Sequence, residues 1–143
     1  MILKITRKYR KEDVEIIRKA IRRKYGRMEK VKKLMQIKKC TMPEVGEAYL
    51  YYLALEDGEI EEEVTIEDKK VLNSLTAKRF EIIEFLNRHE PMSLKELSSR
   101  VKRDYKNVYD DVSALSTYYV LNTIRFGRES VPVGIIDSVE IRV

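Results

Sequence analysis

Cysteine, histidine and tryptophan are almost absent from this chain of 143 residues, which has one cysteine, one histidine and no tryptophan. The single cysteine, Cys40, excludes an internal disulfide, and one histidine leaves too few ligands for a Cys/His zinc cluster. Because no Cys or His partner motif accompanies it, Cys40 is interpreted as a passive thiol. His89 falls where a helix is expected to end, and there a cation suits the helix dipole.

Long apolar runs and catalytic motifs are also missing. No run of about 18 apolar residues is present, so we expect no membrane span. The N-terminal sequence MILKITRKYR lacks the apolar stretch of a signal peptide, which predicts a cytoplasmic protein. No nucleophile–base pair, P-loop or glycine-rich phosphate cradle is visible, so we predict neither enzymatic activity nor a cofactor. The abundance of lysine and glutamate is typical of thermophile proteins.

The charge is strongly divided along the chain. Residues 1–43 hold 16 Lys and Arg against 4 Asp and Glu, whereas residues 44–75 hold 2 against 10. Residues 76–143 are nearly balanced at 11 against 10, and the formal net charge is +5. A segment as basic as the first favours a phosphate-bearing partner. The alternative is that the acidic segment folds against the basic one and neutralises it.

Two amphipathic helices are predicted in the basic segment. Asp13 is expected to cap or open the first, and Gly26 is well placed to stop it. The apolar face of this helix consists of Val14, Ile17, Ile21 and Tyr25. The second helix is indicated by Met28, Val31, Leu34 and Met35. Three arginines outside the first apolar face are candidate contacts to flanking DNA phosphates: Arg18, Arg22 and Arg23.

A β-hairpin fits the acidic segment best. Asp57-Gly58 is a type I′ turn signal, because both central residues of that turn need positive φ. Alternating residues precede it at Tyr49, Tyr51, Leu53 and Leu55. Residues of even parity follow it at Ile60, Val64 and Ile66. The competing interpretation is a helix over residues 43–56 that stops near Gly58.

Glu67-Asp68-Lys69 follows a strand-like V-T-I and faintly resembles the E-x-K arrangement of metal-dependent nucleases. In those enzymes carboxylates hold Mg²⁺ and the lysine steadies the scissile phosphate. Since a pattern of three residues is common by chance, we interpret this segment as leading into a short helix over residues 68–75.

Three helix signals and a hairpin signal occupy the C-terminal half. Thr76 is a good N-cap for the first helix, an S-x-x-E capping box begins the second at Ser93, and Asp104 is expected to cap the third. The string LNTIRFGRESVPV then reads as strand, turn and strand, with Gly127 at the turn. Two short helices joined by a tight basic turn, with a hairpin wing behind them, predict a winged helix-turn-helix. The predicted fold is thus α+β, with a basic helical and hairpin region over residues 1–67 and the winged helix-turn-helix over residues 68–143.

The third helix, residues 104–118, is the one expected in the DNA major groove. Lysine can reach guanine O6 and N7, and asparagine can pair with adenine, so its polar face suits the reading of base edges. Basic residues in the turn, the second helix and the wing suit phosphates or the minor groove. The candidate DNA contacts in the second helix and the turn are Ser93, Lys95, Lys102 and Arg103. Those in the third helix and the wing are Tyr105, Lys106, Asn107, Tyr109, Ser113, Arg125 and Arg128.

The strings LTAKRFEIIEFL, MSLKELSSRV and RDYKNVYDDVSAL resemble an archaeal family of winged helix-turn-helix predicted transcriptional regulators, MarR-like in style. The ending VPV…DSVEIRV is similar to the last wing strand of that family. The resemblance covers residues 62–143 and leaves the basic N-terminal region outside. It implies DNA binding and control of transcription.

The chain departs from that family at one position. Where V-x-x-D-V is expected to carry a basic residue, this chain has Asp110, beside Asp111. Asp110 can accept a hydrogen bond from cytosine N4, but near phosphates it repels and partly cancels Lys106. The basic N-terminal segment is then expected to supply phosphate contacts that the third helix lacks.

We therefore expect a sequence-specific regulator that binds double-stranded DNA in the nucleoid as a homodimer, because two-fold symmetry matches palindromic operators. Two alternatives remain. A winged helix can serve as a protein-interaction module, which Asp110 and Asp111 would suit. The basic segment can also make the protein a non-specific architectural DNA binder.

Overall fold

A computed structural model describes residues 1–36 and 60–143 of the chain. The predicted turn at Asp57-Gly58, the strand that precedes it, the competing helix over residues 43–56 and Cys40 lie outside these residues. Within the described part, antiparallel sheets and helices form an α+β fold. No helix in the two described ranges is both long and apolar enough to cross a membrane.

A three-stranded antiparallel sheet joins the two ends of the chain. Strand β1 (Ile2–Tyr9) lies between β2 (Ile60–Ile66) and β5 (Ile135–Arg142). Leu3 and Ile5 of β1 are fully buried in the larger hydrophobic core. The sheet therefore links strands from both sides of the predicted boundary between residues 67 and 68.

The first two helices form as predicted, but the first one begins at Lys11 and not at Asp13. Helix α1 spans Lys11–Tyr25 and α2 spans Met28–Gln36. Asp13 lies at the third position of α1 rather than at its cap, and its buried carboxylate accepts a hydrogen bond from the Arg10 backbone N–H at 2.9 Å. Gly26 ends α1 with φ of 88°, as expected of a glycine stop.

Four further helices follow β2. They are α3 (Val71–Ser74), α4 (Ala77–Arg88), α5 (Leu94–Arg100) and α6 (Tyr105–Thr117). Helix α3 is shorter than the predicted 68–75, because Asp68 instead accepts a hydrogen bond from the Lys70 backbone in a turn. The hydroxyls of Thr76 and Ser93 cap α4 and α5, as predicted.

The prediction that the Asp104 side chain caps α6 is wrong. Asp104 occupies the N-cap position, but its side chain accepts no capping hydrogen bond. The residue is exposed, so its carboxylate is accessible to water and does not need the backbone N–H groups as partners.

The hairpin forms where predicted. Strand β3 (Asn122–Phe126) pairs with β4 (Glu129–Val133), and Gly127 takes a φ of 66° in the turn. Of the ending VPV…DSVEIRV that was likened to a last wing strand, VPV lies in β4 of the hairpin, whereas DSVEIR lies in β5, which leaves the hairpin and pairs with β1. Gly134, with φ of 83°, makes the break between β4 and β5, where an added Cβ would lie 3.0 Å from the Tyr9 ring.

A second, smaller core fills the space between α1 and the hairpin. From α1 it takes Val14 and Ile17, with Ile21 partly buried against them. From the hairpin it takes Val131 and Val133, with Ile124 and Phe126 packed at its edge. The predicted apolar face of α1 therefore packs on the hairpin, and α1 backs the hairpin on its apolar side.

Candidate nucleic-acid interface

Helices α5 and α6 form a tight helix–turn–helix pair. Their facing sides bury Leu97, Val108 and Val112. The turn between them is closed without glycine: Lys102 takes the left-handed φ of 55°, and the Arg103 N–H donates to the Ser98 carbonyl at 3.0 Å. This is the bond of a Schellman helix ending. It fixes the angle at which α6 leaves the turn.

The outer face of α6 carries the polar residues expected from the sequence. Lys106, Asn107 and Tyr109 are exposed, and Ser113 is half-buried. Asp110 is exposed on the same face. Donors, acceptors and one cation therefore stand together on a helix surface that no other described element covers.

Asp111, unlike the exposed Asp110, forms ion pairs with two arginines. Its Oδ2 lies 2.7 Å from Arg103 Nη2, and its Oδ1 lies 3.1 Å from Arg79 Nε. All three side chains are largely buried. Arg103, expected to contact phosphate, is thus engaged in an ion pair that ties the turn and α4 to α6, while Lys102 beside it is exposed.

A groove brings together four of the residues that the sequence singled out. It has a volume of about 350 Å³ and lies between the start of α5, the start of α6 and the hairpin turn. Ser93, Lys95, Tyr105 and Arg128 line it, together with Leu94, Glu129 and Ser130. Lys95 and Arg128 give this groove two cations from elements that are far apart in sequence.

The basic helix α1 reaches the hairpin turn. The Arg23 guanidinium carbon lies 5.4 Å from the centre of the Phe126 ring, a cation–π distance. An added Cβ at Gly127 would lie 3.0 Å from Arg23 Nη1. Arg22 is exposed beside Arg23, and Arg125 is exposed on the hairpin. The Arg23 side chain of α1 therefore lies against the turn of the hairpin.

Arg18 lies about one helical turn before Arg22 in α1. It is half-buried and lies 3.6 Å from Glu15 within α1. Of the three arginines expected to contact flanking phosphates, Arg23 packs on the hairpin through the Phe126 ring.

Sequence reasoning missed a buried polar network around Arg7. The Arg7 Nη1 donates to the carbonyls of Tyr119 and Val120 at 3.1 and 3.2 Å, just after α6 ends. Its Nε lies 3.4 Å from Glu62 Oε2, an ionic contact too poorly aligned for a hydrogen bond. The available signal was parity, because Arg7 shares the inward-facing side of β1 with Leu3 and Ile5.

Tyr9 completes this network. Its hydroxyl donates to Glu62 at 2.6 Å and accepts from the Asn122 amide at 3.0 Å. Burial, and then the hydrogen bond to Glu62, raise the pKa of Tyr9 above its ordinary value. The network therefore connects β1 and β2 to the start of β3, which is the base of the hairpin.

The residues considered for metal chemistry have structural partners or are solvated. His89 ends α4, as predicted, with Nδ1 2.7 Å from the Phe85 carbonyl and its ring stacked on Phe85. Glu67, Asp68 and Lys69 lie exposed between β2 and α3. Within residues 1–36 and 60–143, no group of three or more His, Cys, Asp or Glu side chains is placed to hold a metal ion.

Comparison with protein families found a match in the C-terminal part of the chain. Residues 74–141 match the model of a family described only as HVO_A0114. The matched stretch runs from the end of α3 into β5, so it includes α5, α6 and the hairpin but not β1, α1 or α2. No curated protein and no solved structure matches the chain.

Proposed function

We propose that this protein is a transcriptional regulator that binds double-stranded DNA in a sequence-specific manner through a winged helix-turn-helix. Helices α4 to α6 are its helical part, and the hairpin of β3 and β4 is its wing. The observation that carries the proposal is the groove in which Lys95, Tyr105 and Arg128 converge beside the exposed face of α6. This arrangement offers a reading helix with cations on both sides of it.

The parts have separate roles in this proposal. Helix α6 enters the major groove, where Lys106 reaches guanine and Asn107 reaches adenine. Ser93, Lys95 and Lys102 bind phosphates on the α5 side, while Arg125 and Arg128 bind the backbone or the minor groove on the wing side. The exposed arginines of α1 extend the contact to phosphates beyond the wing.

The reading of palindromic DNA calls for two copies of the chain. A two-fold symmetric pair would place its two α6 helices about 34 Å apart, one turn of the duplex. We therefore propose that the active form is a homodimer and that it acts at the nucleoid.

A protein-interaction module is the second candidate function. The exposed Asp110 favours it, since a carboxylate on the outer face of α6 repels phosphates and suits a basic protein surface. A non-specific architectural role for the basic segment is a third outcome that the same experiment can reveal.

The test is selection of bound sequences from random double-stranded DNA, followed by titration of the recovered duplex across salt concentrations. The proposal predicts a symmetric motif and an affinity that falls steeply with salt. Tight binding without a motif would indicate the architectural role. No binding at low salt would contradict the proposal and favour the protein-interaction module.

A further inference from the structure

Two tyrosines project from α6 beside its polar reading face. Tyr105 and Tyr109 are 49% and 47% exposed, whereas Val108 and Val112 on the other side of the helix are buried. Their ring centres lie 6.2 Å apart, so together they form one continuous apolar strip over the first two turns of α6. Tyr105 also lines the groove that holds Arg128.

The cations available for reading guanine on this helix are few. Lys106 is the one lysine or arginine in the α6 sequence YKNVYDDVSALST. Arg103, just before the helix, is engaged by Asp111 at 2.7 Å. Asp110 adds a negative charge to the same face. Few basic side chains of α6 are therefore available for hydrogen bonds to bases, and the large hydrophobic side chains that α6 exposes are Tyr105 and Tyr109.

Thymine offers the matching chemistry. Its 5-methyl group is the apolar group that base pairs present in the major groove, and apolar side chains recognise it by contact. An aromatic ring at the flank of a reading helix can cover that methyl group while its hydroxyl stays near the phosphates. We infer that Tyr105 and Tyr109 recognise thymine methyl groups, so that the bound sequence is marked by thymines at fixed positions. This inference rests on the proposed function.

The experiment replaces each thymine of the selected duplex by uracil, one at a time, and measures the affinity of the full-length protein at constant salt. Uracil differs from thymine only by the lost methyl group and keeps the same base pairing. At the contacted positions we expect affinity to fall about fourfold, the factor that corresponds to burying one methyl group.

Variants of the two tyrosines separate the methyl contact from other roles. The double variant Tyr105→Ala, Tyr109→Ala should bind thymine and uracil duplexes equally, whereas Tyr105→Phe, Tyr109→Phe should keep the fourfold ratio because the rings remain. The matched control is Tyr119→Asn, which alters a tyrosine that is 69% exposed just beyond α6 and takes a φ of 61° that asparagine tolerates. It should leave the ratio unchanged.

Two results would overturn the inference while the DNA-binding function stands. One is equal affinity of the unaltered protein for thymine and uracil at every position. The other is an unchanged ratio in the double alanine variant. Failure to recover any bound duplex in the selection is a different result, since it overturns the proposed function itself and the inference with it.

Discussion

At Asp111, two arginines from different parts of the chain meet one carboxylate. Arg79 comes from α4 and Arg103 from the turn before α6, and both lie within 3.1 Å of Asp111 oxygens. Charge-assisted hydrogen bonds of this kind contribute more to stability than neutral ones do. Asp111 therefore holds the orientation of α6, whereas the adjacent Asp110 only alters the charge of its outer face.

Replacing Asp111 by asparagine should destabilise the protein by about 1–3 kcal/mol, because two partly buried guanidinium groups lose their counter-charge. The free energy of unfolding measured by urea denaturation checks this. The matched control is Asp110→Asn, which changes the same charge at an exposed position and should alter stability by less than about 0.5 kcal/mol. Equal losses in both variants would contradict the assigned role of Asp111.

At Gly127 the backbone conformation sets the cost of a substitution. Its φ of 66° lies in the left-handed region, where alanine costs about 1–2 kcal/mol. We expect Gly127→Ala to lower the free energy of unfolding by that amount, measured by urea denaturation. Gly127→Asn adds the same Cβ near Arg23 but tolerates positive φ, so it should cost less. If both variants lost the same stability, contact with Arg23 rather than backbone strain would be the cause.

At the scale of elements, α6 and α1 are expected to act differently on DNA. Lys106→Ala and Asn107→Ala should reduce discrimination between the selected duplex and a scrambled one, because both side chains would contact base edges in the proposed complex. Replacing Arg18, Arg22 and Arg23 together by alanine should weaken binding to both duplexes alike. It should also flatten the salt dependence, by about 0.9 in logarithmic slope for each lost phosphate contact.

Affinities of the two sets of variants for both duplexes, measured across salt concentrations, distinguish these roles. Identical behaviour of the two sets would mean that α1 and α6 do not divide the work as proposed. Arg18→Ala alone should weaken DNA binding less than the triple variant does, since Arg18 is already paired with Glu15.

Several elements could be predicted because their signals are local. Thr76 and Ser93 start helices through hydrogen bonds to residues three positions ahead, and these bonds form as the sequence indicates. The hairpin turn at Gly127 and the helix stop at Gly26 are equally local. The error at Asp104 has a physical reason, because an exposed carboxylate can be solvated by water as readily as it can cap a helix.

Residues that act through distant partners could be predicted less well. Arg103 was expected to contact phosphate, but its side chain binds Asp111, which lies eight residues further along in α6 and also binds Arg79. The contact between Arg23 and Phe126 joins residues about a hundred positions apart. No spacing rule within one element reveals such a contact.

At the scale of the whole molecule, the N-terminal strand is part of the fold of the matched C-terminal region. β1 pairs with β5, contributes Leu3 and Ile5 to the larger core, and sends Arg7 to the carbonyls at the end of α6. The strand thus supports both the sheet and the junction from which the wing begins.

A fragment of residues 68–143 alone should therefore be far less stable than the full chain. It lacks the strand that pairs with β5 and exposes the core surface that Leu3 and Ile5 cover, each of which is worth about 1.5–3 kcal/mol of burial. Thermal denaturation followed by circular dichroism, for the fragment and the full chain, checks this. A fragment that unfolds cooperatively near the temperature of the full chain would instead support an independent domain.

The sequence by itself determined the main helices, the caps at Thr76 and Ser93 and the hairpin, because these depend on residues a few positions apart. The antiparallel pairing of β1 with β5, the packing of α1 on the hairpin and the burial of Arg7 were decided only by the tertiary structure. Each of these joins segments about a hundred or more residues apart. A local pattern shows which face of a strand or helix is buried, but burial of apolar surface is non-directional, so the pattern does not show which distant segment covers that face. The surface on which DNA binding is proposed combines both levels, with a locally encoded helix and turn set in place by distant strands.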